Sequence, residues 1–215
     1  MVKVYVEGGG NQNPGLAQDV RKGFKQFFEK AGFNNKPAVI VCGSRQSAYE
    51  DYCLAVSNGT PAVLLVDSEA PIDEEFQQGE IINWKPWEHL QNRKNSKGEL
   101  CDLWEKVGND IDCHLMVQMM EAWFLADVDA VKAYYRHGFS DSKFPSDSED
   151  IEKISKTRIK EILTKAADET AKAGYSKGRD SFAILELLDP SKVEARSNWA
   201  KRFIYLLKEK IDMLP

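Results

Sequence analysis

The chain opens with three short apolar segments separated by two longer amphipathic ones. The apolar segments are residues 2–6, 37–42 and 61–67, and the last two run without polar interruption. Between them, residues 16–31 and 45–57 place apolar side chains three and four positions apart, as on one face of a helix. Strands without polar alternation are typically buried on both faces. The pattern therefore predicts a parallel sheet flanked by helices.

The middle of the chain is less regular. Residues 70–110 are polar but contain Trp84 and Trp87, which predicts a long loop with short structured pieces. Residues 110–135 are mostly apolar. We expect a short strand at the start of this segment and a helix from about Val117.

The last third of the chain is predicted to be helical after a polar linker at residues 140–150. Helices are expected at residues 155–173, 179–188 and 191–211. The predicted fold class is α/β. A core over residues 1–135 would carry a mostly parallel sheet flanked by helices, and a helical extension over residues 136–215 would pack on it as one compact unit.

Composition narrows the class of protein. The 215 residues are 42% hydrophobic and carry a net charge of −5, which argues against constitutive, tight binding to nucleic acid. No apolar run approaches the ~20 residues that span a bilayer, so no membrane association is expected. The four cysteines form no C-x-x-C pair, and no signal peptide is evident. The expected location is the cytoplasm.

Acidic residues follow two of the predicted strands. Glu7 ends the first strand, Asp67 ends the third, and Glu69 comes two positions later. Parallel strands end at one edge of the sheet, where ligands bind, and alternate residues of an extended segment point the same way. Clustered carboxylates favour a cation, and oxygen ligands favour Mg²⁺ or Mn²⁺. The alternative for each acid is a cap or turn residue.

Several residues near the same edge are candidates for binding phosphate. The backbone of a glycine triplet after Glu7 would allow close approach of a phosphate; its members are Gly8, Gly9 and Gly10. Arg45 follows the second strand and would contact a phosphate or hold Glu7. Lys177 and Arg179 stand where a helix is predicted to begin, which suits a phosphate clamp. A solvated turn is the alternative for this pair.

A second polar group lies in the apolar segment HLMVQMMEAWFLAD. Glu121 is predicted to lie on a largely buried helix, where a carboxylate needs a partner or an ion. Two interpretations remain open. Glu121 is a further metal ligand or base, or it forms a buried salt bridge with Arg45 or Lys177. We expect His114 to be a hydrogen-bonded core residue and not a ligand.

The motifs VEGGG and VDSE resemble those of the Toprim domain of topoisomerases, primases, small ribonucleases and OLD-family nucleases. That domain has a glutamate after its first strand and D-x-D after its third, and the pair binds Mg²⁺. Here the second motif is Asp67-Ser68-Glu69, so a glutamate replaces the last aspartate. By resemblance to the OLD nucleases, Lys177 would stabilise the transition state.

A closer resemblance extends over nearly the whole chain. The motifs VYVEGGG, VCGSRQSAYEDYC, LLVDSEAP, HLMVQMMEAWFLAD and YSKGRDSFAIL are similar, in this order, to those of a bacterial Toprim-like family defined as a domain of unknown function. Its relatives include RloB-like proteins and subunits encoded beside ATPases in phage-defence cassettes. The resemblance implies a role in anti-phage defence with an ATPase partner of the AAA or ABC type.

The expected function is a Mg²⁺-dependent phosphodiester hydrolase, a nuclease acting on RNA or DNA. Two alternatives stay open. One is a non-catalytic subunit that docks on the ATPase through an apolar patch around Trp84 and Trp87. The other is a nucleotide-binding or nucleotidyl-transfer enzyme with an adenine-sized pocket. A homodimer is expected only because such assemblies are common.

Overall fold

A computed structural model describes residues 1–8 and 14–214. Its strands are β1 (Lys3–Glu7), β2 (Ala38–Cys42), β3 (Ala62–Asp67) and β4 (Cys113–Met116). They pair in the order β2-β1-β3-β4, and every pairing is parallel. The fold is α/β with helices on both sides of the sheet, as the apolar pattern predicted.

Eight α-helices are assigned among the described residues. They are α1 (Pro14–Lys30), α2 (Arg45–Ser57), α3 (Pro86–Asn92), α4 (Val128–Tyr135), α5 (Lys156–Ala167), α6 (Lys177–Leu187), α7 (Pro190–Arg196) and α8 (Asn198–Asp212). Short 3₁₀ helices cover Glu74–Gln77, Ile81–Asn83, Asp110–Asp112, Met120–Ala126, Asp141–Lys143 and Ile151–Lys153. Among the described residues, none of the helices combines the length and the apolar character that a membrane span requires.

The sheet buries both of its faces, and β1 shows how. Val4 and Val6 join a hydrophobic cluster with Phe27 of α1, while Tyr5 points to the other face and contacts Tyr52 of α2. The first cluster also includes Phe203 of α8, so helices from the last third of the chain cover the same face as α1. The proposed boundary at residue 135 stays a prediction.

The polar middle segment contributes to the core. Trp84 and Trp87 are buried, with 7% and 0% of their surfaces exposed, and Trp84 packs against Trp199 of α8. Neither tryptophan therefore offers the exposed apolar surface that would support the docking alternative. They hold the long loop against the sheet, and α3 is the main structured piece within it.

The prediction of a helix from Val117 is wrong, because hydrogen bonds with the residues that follow β3 interrupt it. Strand β4 ends at Met116, and Gln118 takes a left-handed backbone conformation with φ of 56°. The amide of Gln118 donates to the Ser68 hydroxyl at 2.7 Å, and its carbonyl accepts from the Glu69 amide at 3.1 Å. Both backbone groups are thereby removed from any continuous helix. A 3₁₀ helix follows, and α4 begins only at Val128.

Two predicted helices in the last third are shorter than expected. Helix α5 ends at Ala167, where the Thr170 hydroxyl donates to the Ala167 carbonyl at 2.7 Å. The segment expected as one helix over residues 191–211 is divided at Ser197, whose hydroxyl accepts from the Ala200 amide at 3.0 Å and caps α8. Helix α6 confirms the prediction for residues 179–188 closely.

Close packing of α1 on α6 depends on Gly23. A Cβ at this position would lie 2.8 Å from the Phe182 carbonyl oxygen, a contact that backbone cannot accommodate without shifting. We expect Gly23→Ala to lower the free energy of unfolding by about 1–3 kcal/mol, measured by urea denaturation. Gly178→Ala is the matched control, since a Cβ there meets nothing within 4 Å. It should be neutral or raise stability by up to about 1 kcal/mol. Equal destabilisation by both changes would contradict the packing argument.

Candidate functional site

The ends of β1 and β3 bring the predicted acids together. Val6 pairs with Leu65 in the parallel register, so Glu7 and Asp67 end neighbouring strands at one edge of the sheet. Carboxylate oxygens of Glu7, Asp67 and Glu69 lie within 4.8 Å of one another. Asp67 is buried, while Glu7 and Glu69 are partly exposed. One cation could contact all three residues.

A tight turn brings Glu69 back to the cluster. Strand β3 ends at Asp67, and Glu69 adopts a left-handed φ of 66°, which is uncommon for residues other than glycine. The Ser68 amide donates to the Met116 carbonyl at 2.9 Å, and the Ser68 hydroxyl donates to the Ala70 carbonyl at 2.7 Å. The extended geometry expected for Asp67-Ser68-Glu69 is therefore wrong. The turn, together with the longer glutamate side chain, makes the carboxylates converge.

Glu69 has a cationic partner in this structure. Lys156, the first residue of α5, donates to Glu69 Oε2. Burial opposes ionisation of Glu69, but the hydrogen bond and charge of Lys156 outweigh it and lower the pKa of the carboxyl group. A cation that binds at the cluster would have to share Glu69 with this lysine or displace it.

The neighbours of Asp67 determine its hydrogen bonding and its pKa. Its Oδ1 accepts from the Met120 amide at 2.8 Å, which anchors the start of the 3₁₀ helix. Burial raises the pKa of Asp67 well above its usual range, and the charge of Glu7 raises it further. Burial also raises the pKa of Glu7, although Arg45 opposes that shift. The two carboxyl groups therefore interact with each other, and a cation bound between them would relieve their repulsion.

Glu121 lies beside this pair and is completely buried. The Tyr175 hydroxyl donates to Glu121 Oε1 at 2.7 Å and lies 2.6 Å from the Ser181 hydroxyl. Glu121 Oε2 is also buried and has no hydrogen-bond partner among the described residues. Such an oxygen costs about 1–3 kcal/mol or more, because it has lost its water without replacement. The unpaired oxygen indicates that a hydrogen-bond donor or a cation belongs next to it.

Lys177 connects the two acidic groups. Its Nζ lies 3.8 Å from Asp67 Oδ2 and 3.8 Å from Glu121 Oε1. Burial opposes the charge of this lysine, but Glu121 and Asp67 outweigh that effect and raise the pKa of Lys177. The predicted salt bridge between Glu121 and Lys177 is therefore present at long range. It does not exclude a metal role for Glu121, since Oε2 is left unpaired.

A cleft of about 190 Å³ opens over the acids. Its walls include Glu7, Gly8, Arg45, Asp67 and Lys177. Gly8 has φ of 133°, a conformation that favours glycine. The other two glycines of the triplet, Gly9 and Gly10, lie outside the described residues.

The two candidate arginines differ in placement. Arg45 donates to the Asp67 carbonyl and, through Nη2, to Asp102 Oδ2 at 3.0 Å. Arg179 instead pairs with Asp180 at 2.6 Å and donates to the Gly174 carbonyl at 2.7 Å. Arg179 lines a separate groove on the other side of α6. The structure thus brings Arg45 to the acids and does not bring Arg179 there.

His114 is a core residue, as predicted. It is buried against Phe203, and its Nδ1 lies 3.3 Å from Nη1 of the buried Arg202. Burial and the charge of Arg202 lower the pKa of His114 well below its usual range, so the ring is neutral. None of these hydrogen-bond and ring contacts joins His114 to the acids at the sheet edge.

Sequence reasoning missed two residues that contact the acids directly, Lys156 and Tyr175. A signal for Lys156 exists. Both Lys156 and Lys177 are the first residue of a helix, where the helix dipole disfavours a positive charge. Two lysines at that unfavourable position indicate nearby negative charge. Tyr175 stands two positions before Lys177, and its role is visible only in the fold.

The raised pKa values predict how stability depends on pH. An acid whose pKa is higher in the folded state stabilises the protein at low pH, and this contribution is lost as pH rises through the folded-state pKa. Without divalent metal, we expect the free energy of unfolding to fall as pH rises above the ordinary carboxyl range near about 4. Thermal or urea unfolding across pH measures this slope. Asp67→Asn should flatten the slope, and an unchanged slope would contradict a raised pKa for Asp67.

Comparison with known proteins adds a family and nothing further. No curated protein and no solved structure matches the chain. A family model matches residues 9–208, a range that contains Asp67, Glu69, Glu121 and Lys177 and begins two positions after Glu7. The chain therefore belongs to the family described as "Domain of unknown function (DUF4276)".

Proposed function

We propose that this protein is a divalent-metal-dependent phosphodiester hydrolase, and specifically a nuclease of the Toprim type. The observation that carries the proposal is the convergence of three carboxylates within 4.8 Å at the carboxyl edge of a parallel sheet. The unpaired, buried Glu121 Oε2 beside them is independent support. Every donor is a carboxylate oxygen, which suits Mg²⁺ or Mn²⁺. Glu7, Asp67 and Glu69 would hold the ion.

When bound, such an ion would supply charge stabilisation at the phosphate and lower the pKa of a coordinated water. The residues of the chain have separate roles in this proposal. Lys177 stands 3.8 Å from two of the acids and would neutralise charge developing on the phosphate oxygens. Glu121 would serve as a base or a further ligand, with its carboxylate oriented by Tyr175.

The two alternatives have less support. The docking-subunit hypothesis would gain support from a patch of exposed apolar residues around Trp84 and Trp87, but both tryptophans are buried. The nucleotide-binding hypothesis expected a deep pocket, but the cleft at the acids is about 190 Å³. Ligand pockets commonly measure roughly 300–1,000 Å³. An open, small cleft fits one phosphate of a polymer better than a whole nucleotide.

The cellular setting is part of the same proposal. The four cysteines are free thiols, which suits a reducing compartment such as the cytoplasm. The role in phage defence and the ATPase partner rest on the sequence resemblance. A net charge of −5 fits an enzyme that binds bare nucleic acid weakly and depends on a partner for delivery.

Asp67→Asn tests the metal site directly. Asparagine keeps the acceptor for the Met120 amide and removes the charge that would hold a cation. We expect Mn²⁺ to raise the unfolding temperature of the native protein, by an amount worth about 2.7 kcal/mol at a hundredfold excess over Kd. The variant should show no such shift, and its cleavage of a mixed RNA and DNA substrate pool should fall by about 10²-fold or more.

Asp127→Asn is the matched control for this experiment. Asp127 is also buried and also caps a helix, by accepting from the Ala130 amide at 3.3 Å, but it contacts Lys192 and not the acidic cluster. This variant should keep both the Mn²⁺ shift and the cleavage. Equal Mn²⁺ shifts in the native protein and Asp67→Asn, or undiminished cleavage by Asp67→Asn, would rule out the proposed site.

A further inference from the structure

Two arginines share a single carboxylate beside the acidic cleft. Arg45 Nη2 lies 3.0 Å from Asp102 Oδ2, and Arg93 Nε lies 3.4 Å from the same oxygen. All three side chains are largely buried, with 12–16% of their surfaces exposed. Arg45 also lines the cleft with Glu7 and donates to the carbonyl of Asp67. The arginine pair therefore borders the site proposed above.

The two guanidinium groups lack hydrogen-bond acceptors for some of their N–H groups. Arg45 Nε and Arg93 Nη1 are both buried and have no hydrogen-bond partner among the described residues. Each guanidinium presents a planar fork of N–H groups that suits two acceptor oxygens at once. A single oxygen of Asp102 cannot accept hydrogen bonds from every N–H group of both guanidiniums. The unpaired donors indicate an anion with more oxygens than a carboxylate, which is the chemistry of a phosphate group.

Asp102 belongs to a segment that backbone and ring contacts hold on both sides of it. The segment 93–109 follows α3 and contains no helix or strand. Trp104 anchors it by stacking on Tyr49 at 4.6 Å, while Cys101 and Leu103, which flank Asp102, are exposed. The Cys101 amide donates to the Arg93 carbonyl at 2.9 Å. Because the backbone is held on both sides, Asp102 would leave the arginines by rotation of its side chain alone.

We propose that Arg45 and Arg93 form a binding site for a phosphate group of the substrate, and that Asp102 occupies this site in the ligand-free protein. The inference rests on the proposed function for the identity of the ligand, a phosphodiester. Cationic groups are needed here, because the neighbouring carboxylates repel a phosphate. Lys156 and Lys177 are already engaged with Glu69, Asp67 and Glu121. The arginine pair would add positive charge to that of Lys177 at the cleft.

Removing the charge of Asp102 distinguishes an occupied phosphate site from a structural ion pair. Orthophosphate is titrated into the full-length protein in metal-free buffer, and binding is measured by calorimetry and by the shift in unfolding temperature. Asp102→Asn should bind orthophosphate about tenfold or more tightly than the native protein, because its arginines are released. Adding Arg93→Gln to this variant should abolish the gain.

Glu149→Gln is the matched control, since Glu149 pairs with Arg158 at 2.6 Å on the surface and its loss changes the net charge equally. It should leave phosphate affinity unchanged. A folded Asp102→Asn that binds phosphate no better than the native protein, or an equal gain in Glu149→Gln, would overturn the proposal. If Asp102→Asn does not fold, Arg93→Gln alone decides. It should weaken phosphate binding about tenfold or more, and unchanged affinity would overturn the inference.

These measurements need neither metal nor turnover, so they are independent of the metal-site test. The protein could bind phosphate in the expected pattern and yet show no Mn²⁺ response. This result would support the arginine site and would reject only the metal centre. A Mn²⁺ response and cleavage that depend on Asp67, with no effect of Asp102→Asn on phosphate affinity, would retain the proposed function and reject the arginine site.

Discussion

Repulsion among the buried or partly buried carboxylates at one sheet edge is the interaction that the surrounding contacts offset. Parallel strands deliver Glu7 and Asp67 to the same place, a turn adds Glu69, and a 3₁₀ helix adds Glu121. Burial makes each charge costly, and proximity makes their sum costlier. The surrounding architecture compensates with two lysines, Lys156 and Lys177. A divalent cation would neutralise the same charge more completely, which is why the arrangement suits a metal site.

The helices after residue 135 supply much of that compensation. Lys156 begins α5 and Lys177 begins α6, so each helix places a cation against the acids at the end where its own dipole disfavours one. The position of α6 depends on close contact with α1 at Gly23. The C-terminal helices are thus part of the site, because their packing fixes where these lysines lie.

The presence of a glutamate at position 69 has a physical explanation in the turn. Glu69 has a left-handed backbone, which directs the chain away from the line of β3. The additional methylene allows its carboxylate to return to within 4.8 Å of the other acids. The same length also lets Glu69 reach Lys156. A glutamate at this position is therefore compatible with a common ion.

The amino-acid sequence by itself determined the class of fold and the identity of the central acids. Unbroken apolar segments imply strands buried on both faces, and residues that end parallel strands must meet at one edge. Those two arguments are local, and they located Glu7 and Asp67. The sequence also indicated that His114 belongs to the core, as the structure confirms.

Tertiary structure alone decided the rest. The helix expected from Val117 is replaced by a turn, because Ser68 and Glu69 take the backbone hydrogen bonds of Gln118. Trp84 lies in a polar segment that the sequence predicts as a long loop, but it is buried against α8. Asp102 meets Arg45 across 57 positions in the chain. Periodicity reports which side of an element is apolar, but long-range contacts decide which polar groups meet, and no local pattern encodes them.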